Sequence, residues 1–323
     1  MSKEAILEKV RQTRNLPALP AVTLEILRLL QAEELNFDTL IDVIRRDPAL
    51  AATILKVVNS SFYGVSRKVT SLKQATTVVG LNTVKMLVLS VSLVGMLRDS
   101  KTRKLDHAAY WRRSLFTAVA SLLLAKNAAP KMAEDAFVAG LLSDIGVMVA
   151  SICAPNEYLP VLELWNEKKG PLAAVEMEKL DITHAEIGRE LLLAWNLPEI
   201  LYETVGAHTG CGLPELSGDT IELVRIVRSA SAIAEVFCHD LPCTELPHVM
   251  DFCQTETGIG NAVLEAALKA LGASVKDLGA LLSLPIGQPA SYETIQAELA
   301  LQLEALKKKA PKRFSVDDLT VEN

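Results

Sequence analysis

The chain has 323 residues, half of them hydrophobic and 22% charged, with 33 Lys+Arg against 39 Asp+Glu and a net charge of −6. High hydrophobicity with modest net charge excludes disorder over most of the length, and the composition excludes collagen-like and disulfide-scaffold classes. The acidic balance argues against nucleic acid as the main partner, because a protein that wraps nucleic acid carries the opposite sign on at least one domain.

Helical periodicity dominates, and strand-like alternation is nearly absent. The length suits one large domain or two subdomains. A short amphipathic helix is predicted over 4–14, followed by the proline-set connector Leu16-Pro17-Ala18-Leu19-Pro20. Helices follow over 22–32, 39–46 with Asp38 as N-cap, and 49–59 with Asp47 as N-cap and Pro48 in the first turn. Ser60 to Gly64 form a turn. Ser71 caps a helix over 72–79, Gly80 ends it, and Asn82 caps the next, which is apolar through Leu97. The polar run 98–106 is the best internal boundary. Further helices are predicted over 107–127, 132–153, 156–168, 171–179, 184–195, 198–208, 219–237, 258–271, 277–282 and 292–308, with a frayed tail over 310–323. The fold class is all-α.

Residues 136–156 are apolar enough to raise the question of a membrane. Asp144 lies at the centre of the stretch, and Gly140, Gly146 and Pro155 interrupt it. A central Asp costs roughly 2.5–3.5 kcal/mol to insert. The stretch therefore reads as a buried core helix, with no membrane insertion. The N-terminus carries no secretory pattern. The five cysteines include no C-x-x-C pair, which suits a reduced, cytoplasmic setting.

Several motifs recur in a fixed order. They are Leu16 to Pro20, Asp47-Pro48-Ala49-Leu50, Asn59 to Gly64, Ser71 to Ala75, and Val79-Gly80-Leu81. Tyr110 to Ser114, Ala139 to Gly146, Thr183 to Gly188, Trp195 to Pro198, and Ala207-His208 continue the series. In order and spacing this set resembles the HDOD domain, over about 16–235. HDOD domains are all-helical relatives of the HD phosphohydrolases. The resemblance implies a bacterial signal-transduction role that is regulatory rather than catalytic.

HD enzymes bind one or two divalent metals through His and Asp side chains, and the metal activates water against a phosphoester. Carried across by the resemblance, the first His falls on Arg113. The His of the His-Asp pair falls on Ser143, while its Asp is kept as Asp144. A following His is kept as His184, the next His pair falls on Ala207 and His208, and the late Asp falls near Ser231. A hydrolytic metal needs three or more ligands and an open position for water. Asp144, His184 and His208 supply three at most, and Arg113 places a fixed positive charge where the cation would sit. An Arg113–Asp144 ion pair is therefore predicted in place of the metal. Two alternatives stay open: Asp144 as a polar residue hydrogen-bonded to helix termini, and a true metal site of Asp144, His184 and His208. Taken alone, His184 reads as a partly exposed residue at a helix start, and His208 as a helix C-terminal residue.

The remaining features are weaker. Cys238, His239, Cys243, His248 and Cys253 lie close together, but their spacing matches no common zinc pattern, and scattered cysteines and loop histidines are expected. No G-x-S-x-G, P-loop or strand-borne G-x-G-x-x-G occurs. Gly258 to Asn261 read as a helix-start turn, and His107 as a first-turn residue of a solvated helix. The run Lys307-Lys308-Lys309 reads as a solvated helix end. Phe62 and Tyr63 read as a lid on the core or as a gate to a groove. Trp111 and Trp195 read as core.

Together these readings predict an N-terminal helical subdomain (1–105), an HD-like subdomain (106–240) and a C-terminal helical extension (241–323). The expected function is a non-enzymatic signalling module, with Arg113, Ser143, Ala207 and Ser231 replacing HD-type ligands. Its expected partners are signalling proteins, with a nucleotide-type ligand as a further candidate. No cofactor is expected, a divalent metal being the exception. The alternatives are a metal-dependent phosphohydrolase acting on a nucleotide or cyclic dinucleotide, and a scaffold that oligomerises through its C-terminal helices.

Overall fold

The computed structural model describes residues 3–12, 21–30, 37–60, 62–98, 105–168, 170–210, 216 and 218–309. The Leu16–Pro20 motif, Ser61, residues 99–104 of the polar break, Cys211 and the tail 310–323 lie outside the described residues. Every regular element among the described residues is a helix, as the sequence predicts. In chain order they are α1 (Lys3–Gln12), α2 (Ala21–Leu30), α3 (Phe37–Arg45), α4 (Pro48–Val58), α5 (Leu72–Val79), α6 (Leu81–Arg98), α7 (His107–Ala128), α8 (Ala133–Leu142), α9 (Ile145–Cys153) and α10 (Pro155–Lys168). Then come α11 (Leu172–Leu180), α12 (His184–Ala194), α13 (Glu199–Ala207), α14 (Gly218–Phe237), α15 (Leu246–Thr257), α16 (Asn261–Leu281) and α17 (Tyr292–Lys309).

The long helix α7 is the axis of the fold. It packs on α8, α14 and α16, and its Trp111, Leu115, Phe116 and Val119 are all buried. A helix that is apolar around its whole circumference belongs in the centre of a protein. The apolar stretch around Asp144 belongs there too: 89% of the most apolar window in Pro130–Cys153 is buried against other helices.

Caps define several boundaries. Asp47 accepts from the Ala49 and Leu50 amides with Pro48 at the helix start, Ser71 accepts from the Gln74 amide, and Asp106 accepts from the Ala109 amide. Asn59 explains its motif. Its amide donates to the Leu55 and Val69 carbonyls at 2.7 and 2.8 Å, and its oxygen accepts from the Val69 amide at 2.7 Å. One side chain thus ties the end of α4 to the far side of the 60–68 loop. On that loop Phe62 and Tyr63 meet edge to face at 5.1 Å, and the Lys126 ammonium sits 5.7 Å from the Phe62 ring. Both aromatics pack on the core as a lid.

Five expectations need correction. Residues 132–153 do not form one helix, because the chain turns at Ser143 and Asp144 between α8 and α9. Residues 258–271 and 277–282 form one helix, α16; its interior Gly272 leaves room for the Ala290 carbonyl, which a Cβ would meet at 2.5 Å. Helix α15 is absent from the predicted elements; its Pro247 occupies the first turn, where the missing N–H costs nothing. Helix α6 begins at Leu81 directly after Gly80 (φ +89°), so Asn82 is not its cap. Asp38 lies inside the first turn of α3 rather than before it.

The first helix reaches across the chain. Ile6 and Val10 are buried where α1 packs on α9 and α12. Around them Lys3 pairs with Glu186, Lys9 with Glu157 at 2.9 Å and Arg11 with Glu190 at 2.7 Å. Exposed ion pairs contribute little, so the apolar pair anchors the helix and the charges set its register.

Candidate functional site

Close helix packing builds the site. A Cβ on Gly146 would lie 1.9 Å from the His184 carbonyl oxygen and 2.9 Å from the Gly188 nitrogen. Only glycine lets the start of α9 approach the start of α12 this closely, and that approach brings Asp144 to His184. A capping box fixes the start of α12: Thr183 accepts from the Glu186 amide, and the Glu186 carboxylate accepts from the Thr183 amide. His184 is the first residue of α12 and His208 caps the C-terminus of α13. Both are buried, so the partial exposure expected of His184 is incorrect.

Arg113 of α7 is almost enclosed by carboxylates. Its Nε donates to Oδ2 of Asp144 at 2.9 Å, one terminal nitrogen donates to Asp240 at 2.7 Å and the other to Glu235 at 3.1 Å. The predicted Arg113–Asp144 pair is therefore present. Burial alone would push the Asp144 carboxyl up. The Arg113 guanidinium and a hydrogen bond from His184 hold it well below the usual carboxylate range. Burial works against the charge on Arg113, but Asp144, Glu235 and Asp240 hold its pKa well above the ordinary value.

The other oxygen of Asp144, Oδ1, faces the histidines, 3.3 Å from His184 Nε2 and 3.8 Å from His208 Nε2. The two Nε2 atoms are 3.3 Å apart. Behind His184 stands Glu176, which is fully buried. It accepts from the His184 backbone amide at 2.9 Å, lies 2.7 Å from His184 Nδ1, and takes a hydrogen bond from the Tyr158 hydroxyl. Burial and the Glu176 charge keep the Tyr158 hydroxyl protonated to well above its ordinary range. His208 Nδ1 lies 2.7 Å from the Val205 carbonyl oxygen, which can only accept, so this nitrogen carries the proton. Burial lowers the His184 pKa, but Glu176 and Asp144 outweigh it and raise it to about 10.

Asp144, His184 and His208 could hold one metal ion, each offering one atom, all within 4.8 Å of one another. Ligand atoms about 2.1 Å from a tetrahedral zinc lie roughly 3.4 Å apart, so the spacing is that of one face of a coordination shell. The same spacing suits a proton shared between His184, Asp144 and His208. The other relic positions hold no ligand. The Ser143 hydroxyl donates back to the Gly140 carbonyl at 3.0 Å, and Ala207 is a buried apolar residue. Ser231 lines a cavity of about 180 Å³ together with Arg113, His184, His208 and Arg228.

Glu176, Glu235, Asp240 and Tyr158 escaped the sequence reading. The available signal was electrostatic, since a buried Arg113 needs more than one carboxylate. The Cys/His segment is scattered, as expected. His239 pairs with Glu298, His248 is exposed beside Glu245, and the Cys253 thiol faces the Ser229 carbonyl. Among the described residues, Asp144, His184 and His208 form the one group with metal-ligand spacing. Trp111 is buried core, whereas Trp195 is half-buried against it. Lys307 to Lys309 fall in the last turn of α17.

Comparison with known proteins identifies the family and the fold. The HDOD domain family model matches residues 16–211. An uncharacterized protein of Treponema pallidum is 27% identical over 234 residues, which is 72% of this chain and 45% of that protein. The chain thus spans about half the length of this curated relative. Among solved structures, a Shewanella amazonensis protein assigned by name to the phosphohydrolases aligns with TM-score 0.70 at 23% identity, covering 86% of this chain and 98% of its own. An HDOD domain protein of Geobacter sulfurreducens aligns with TM-score 0.68 at 21% identity, covering 87% and 98%. A Marinobacter aquaeolei protein named for signal transduction aligns with TM-score 0.63 at 20% identity, covering 88% and 62%. These likenesses establish the all-helical fold.

Proposed function

The chain belongs to the HDOD domain family, and from that premise we propose that it is a non-enzymatic regulatory module in which the cation of an HD site has been replaced by the protein's own charges. The observation that carries this reading is the Arg113 guanidinium, bound at once to Asp144, Glu235 and Asp240. An HD metal would supply a Lewis acid and an activated water. Here Arg113 takes one oxygen of Asp144, and its fixed charge opposes a dication beside the other. Removing the guanidinium would strand a buried carboxylate, which costs about 3–5 kcal/mol. Arg113 therefore holds α7, α9 and the end of α14 together, as a structural metal would.

On this reading the module acts by binding. Its partners are signalling proteins or a small ligand, and it works in the cytoplasm. The second reading, a metal-dependent phosphohydrolase, is favoured by one observation, the spacing of Asp144, His184 and His208. Turnover separates the two. The protein is assayed with Mn²⁺ or Fe²⁺ against nucleotide monophosphates, cyclic dinucleotides and a chromogenic phosphodiester. The proposal expects no turnover above an Asp144→Ala control. Turnover that Asp144→Ala abolishes would overturn it.

A further inference from the structure

A second cavity, of about 200 Å³, is lined by Arg113 and Asp144 but by neither histidine. Its apolar walls come from four helices: Tyr110 on α7, Val147 on α9, Leu162 and Trp165 on α10, and Leu172 on α11. The Trp165 indole is fixed in place, since its Nε1 donates to the Gly170 carbonyl at 2.7 Å. A wall that is already ordered loses little entropy when a ligand arrives.

The charges around the cavity are unevenly committed. Asp144 and Asp240 are both bound by Arg113, and Asp106 caps the Ala109 amide. Burial pushes the Cys238 thiol up to about 12, so it is neutral at pH 7. Arg112 is the exception. Its Nε is buried with no hydrogen-bond partner, and no carboxylate among the described residues pairs with its guanidinium. A guanidinium on the cavity wall that no carboxylate neutralises is an anchor for an anionic group.

We propose that this cavity binds a small carboxylate with a single-ring or branched apolar body, its acid on Arg112 and its body against Trp165, Leu162 and Val147. A guanidinium matches a carboxylate through two parallel hydrogen bonds. The size sets the upper limit, because sites for drug-sized ligands run to roughly 300–1,000 Å³. A dinucleotide is too large. The cavity reaches neither His184 nor His208, so the proposal does not require that those residues take a metal. A ligand there would also touch Arg113 and Asp144, the pair that fills the relic site.

The test uses the full chain and three probes: phenylacetate, its neutral isostere phenylacetamide, and phenyl phosphate. Binding is read by calorimetry and by saturation-transfer NMR. Phenylacetate is expected to bind with a Kd of about 1 mM or tighter, and phenylacetamide about tenfold more weakly or worse. Arg112→Gln is expected to weaken phenylacetate about tenfold while leaving the thermal midpoint unchanged, because the charge has no structural partner. Equal binding of acid and amide, undiminished binding by Arg112→Gln, or no saturable binding at all would overturn the proposal. Tighter binding of phenyl phosphate would overturn the carboxylate assignment. The acid–amide comparison needs no variant, so it decides the matter even if Arg112→Gln fails to fold. None of these outcomes bears on turnover, so the regulatory reading stands or falls separately.

Discussion

The Nε2 atoms of His184 and His208 face one another at 3.3 Å, and the other nitrogen of each ring is already committed. His208 Nδ1 donates to the Val205 carbonyl and His184 Nδ1 to Glu176. Two neutral rings held this way would point lone pair at lone pair. Something positive must lie between them. A proton on His184 Nε2 is sufficient, and Glu176 and Asp144 flank the imidazolium that results.

A pH dependence follows, with a definite sign. The folded His184 pKa, about 10, lies above its ordinary value of 6.5. The folded state therefore holds the proton more tightly than the unfolded chain. That stabilisation is complete below pH 6.5, declines above it by at most about 1.4 kcal/mol per pH unit, and is lost as pH passes through the folded value. Urea denaturation from pH 6 to 9.5 should show this decline, and Glu176→Gln should flatten it. Ring ¹⁵N shifts should report a doubly protonated His184 at pH 8. A neutral His184 there would contradict the assignment.

The helical glycines Gly146 and Gly95 should respond in opposite directions to alanine. A Cβ on Gly146 meets the His184 carbonyl, whereas Gly95 is exposed on α6 with nothing within 4 Å. Gly146→Ala should destabilise by about 3 kcal/mol, the range of an overpacked core. Gly95→Ala should stabilise by about 0.8 kcal/mol through helix propensity. Denaturation midpoints of the two variants check both signs.

Much of this was legible in the sequence, for identifiable reasons. Asp47 and Ser71 cap helices through local hydrogen bonds, and local signals survive in sequence. The Arg113–Asp144 pair was legible because the resemblance puts Arg113 in the place of a metal-ligating His beside the retained Asp144. The turn at Ser143 and Asp144 was not, since both α8 and α9 are apolar and the pattern continues across the break. Glu176, Glu235 and Asp240 were not legible either. Each is an acidic residue on an ordinary helix until tertiary packing aims it at His184 or Arg113. The Arg112 cavity is a product of four helices and leaves no trace in any one of them.

The Arg113 cluster should behave as a coupled unit. Arg113→Met alone strands Asp144 and should cost about 3–5 kcal/mol. Asp144→Leu alone strands the guanidinium's Nε and should also destabilise. The double variant Arg113→Met/Asp144→Leu should be more stable than the sum of the two single effects predicts. Additive effects in this double-mutant cycle would show that the pair contributes nothing beyond its separate contacts.

The claim that Arg113 fills the place of a cation is tested most directly by metal content. The wild-type chain and an Arg113→His/Ser143→His variant are purified without chelator, exposed to Mn²⁺, Fe²⁺ and Zn²⁺, dialysed, and analysed by inductively coupled plasma mass spectrometry. The account predicts no retained metal in the wild type and stoichiometric metal in the variant, whose two added imidazoles complete the ligand set. Stoichiometric metal in the wild type, lost in His184→Ala and His208→Ala, would contradict it.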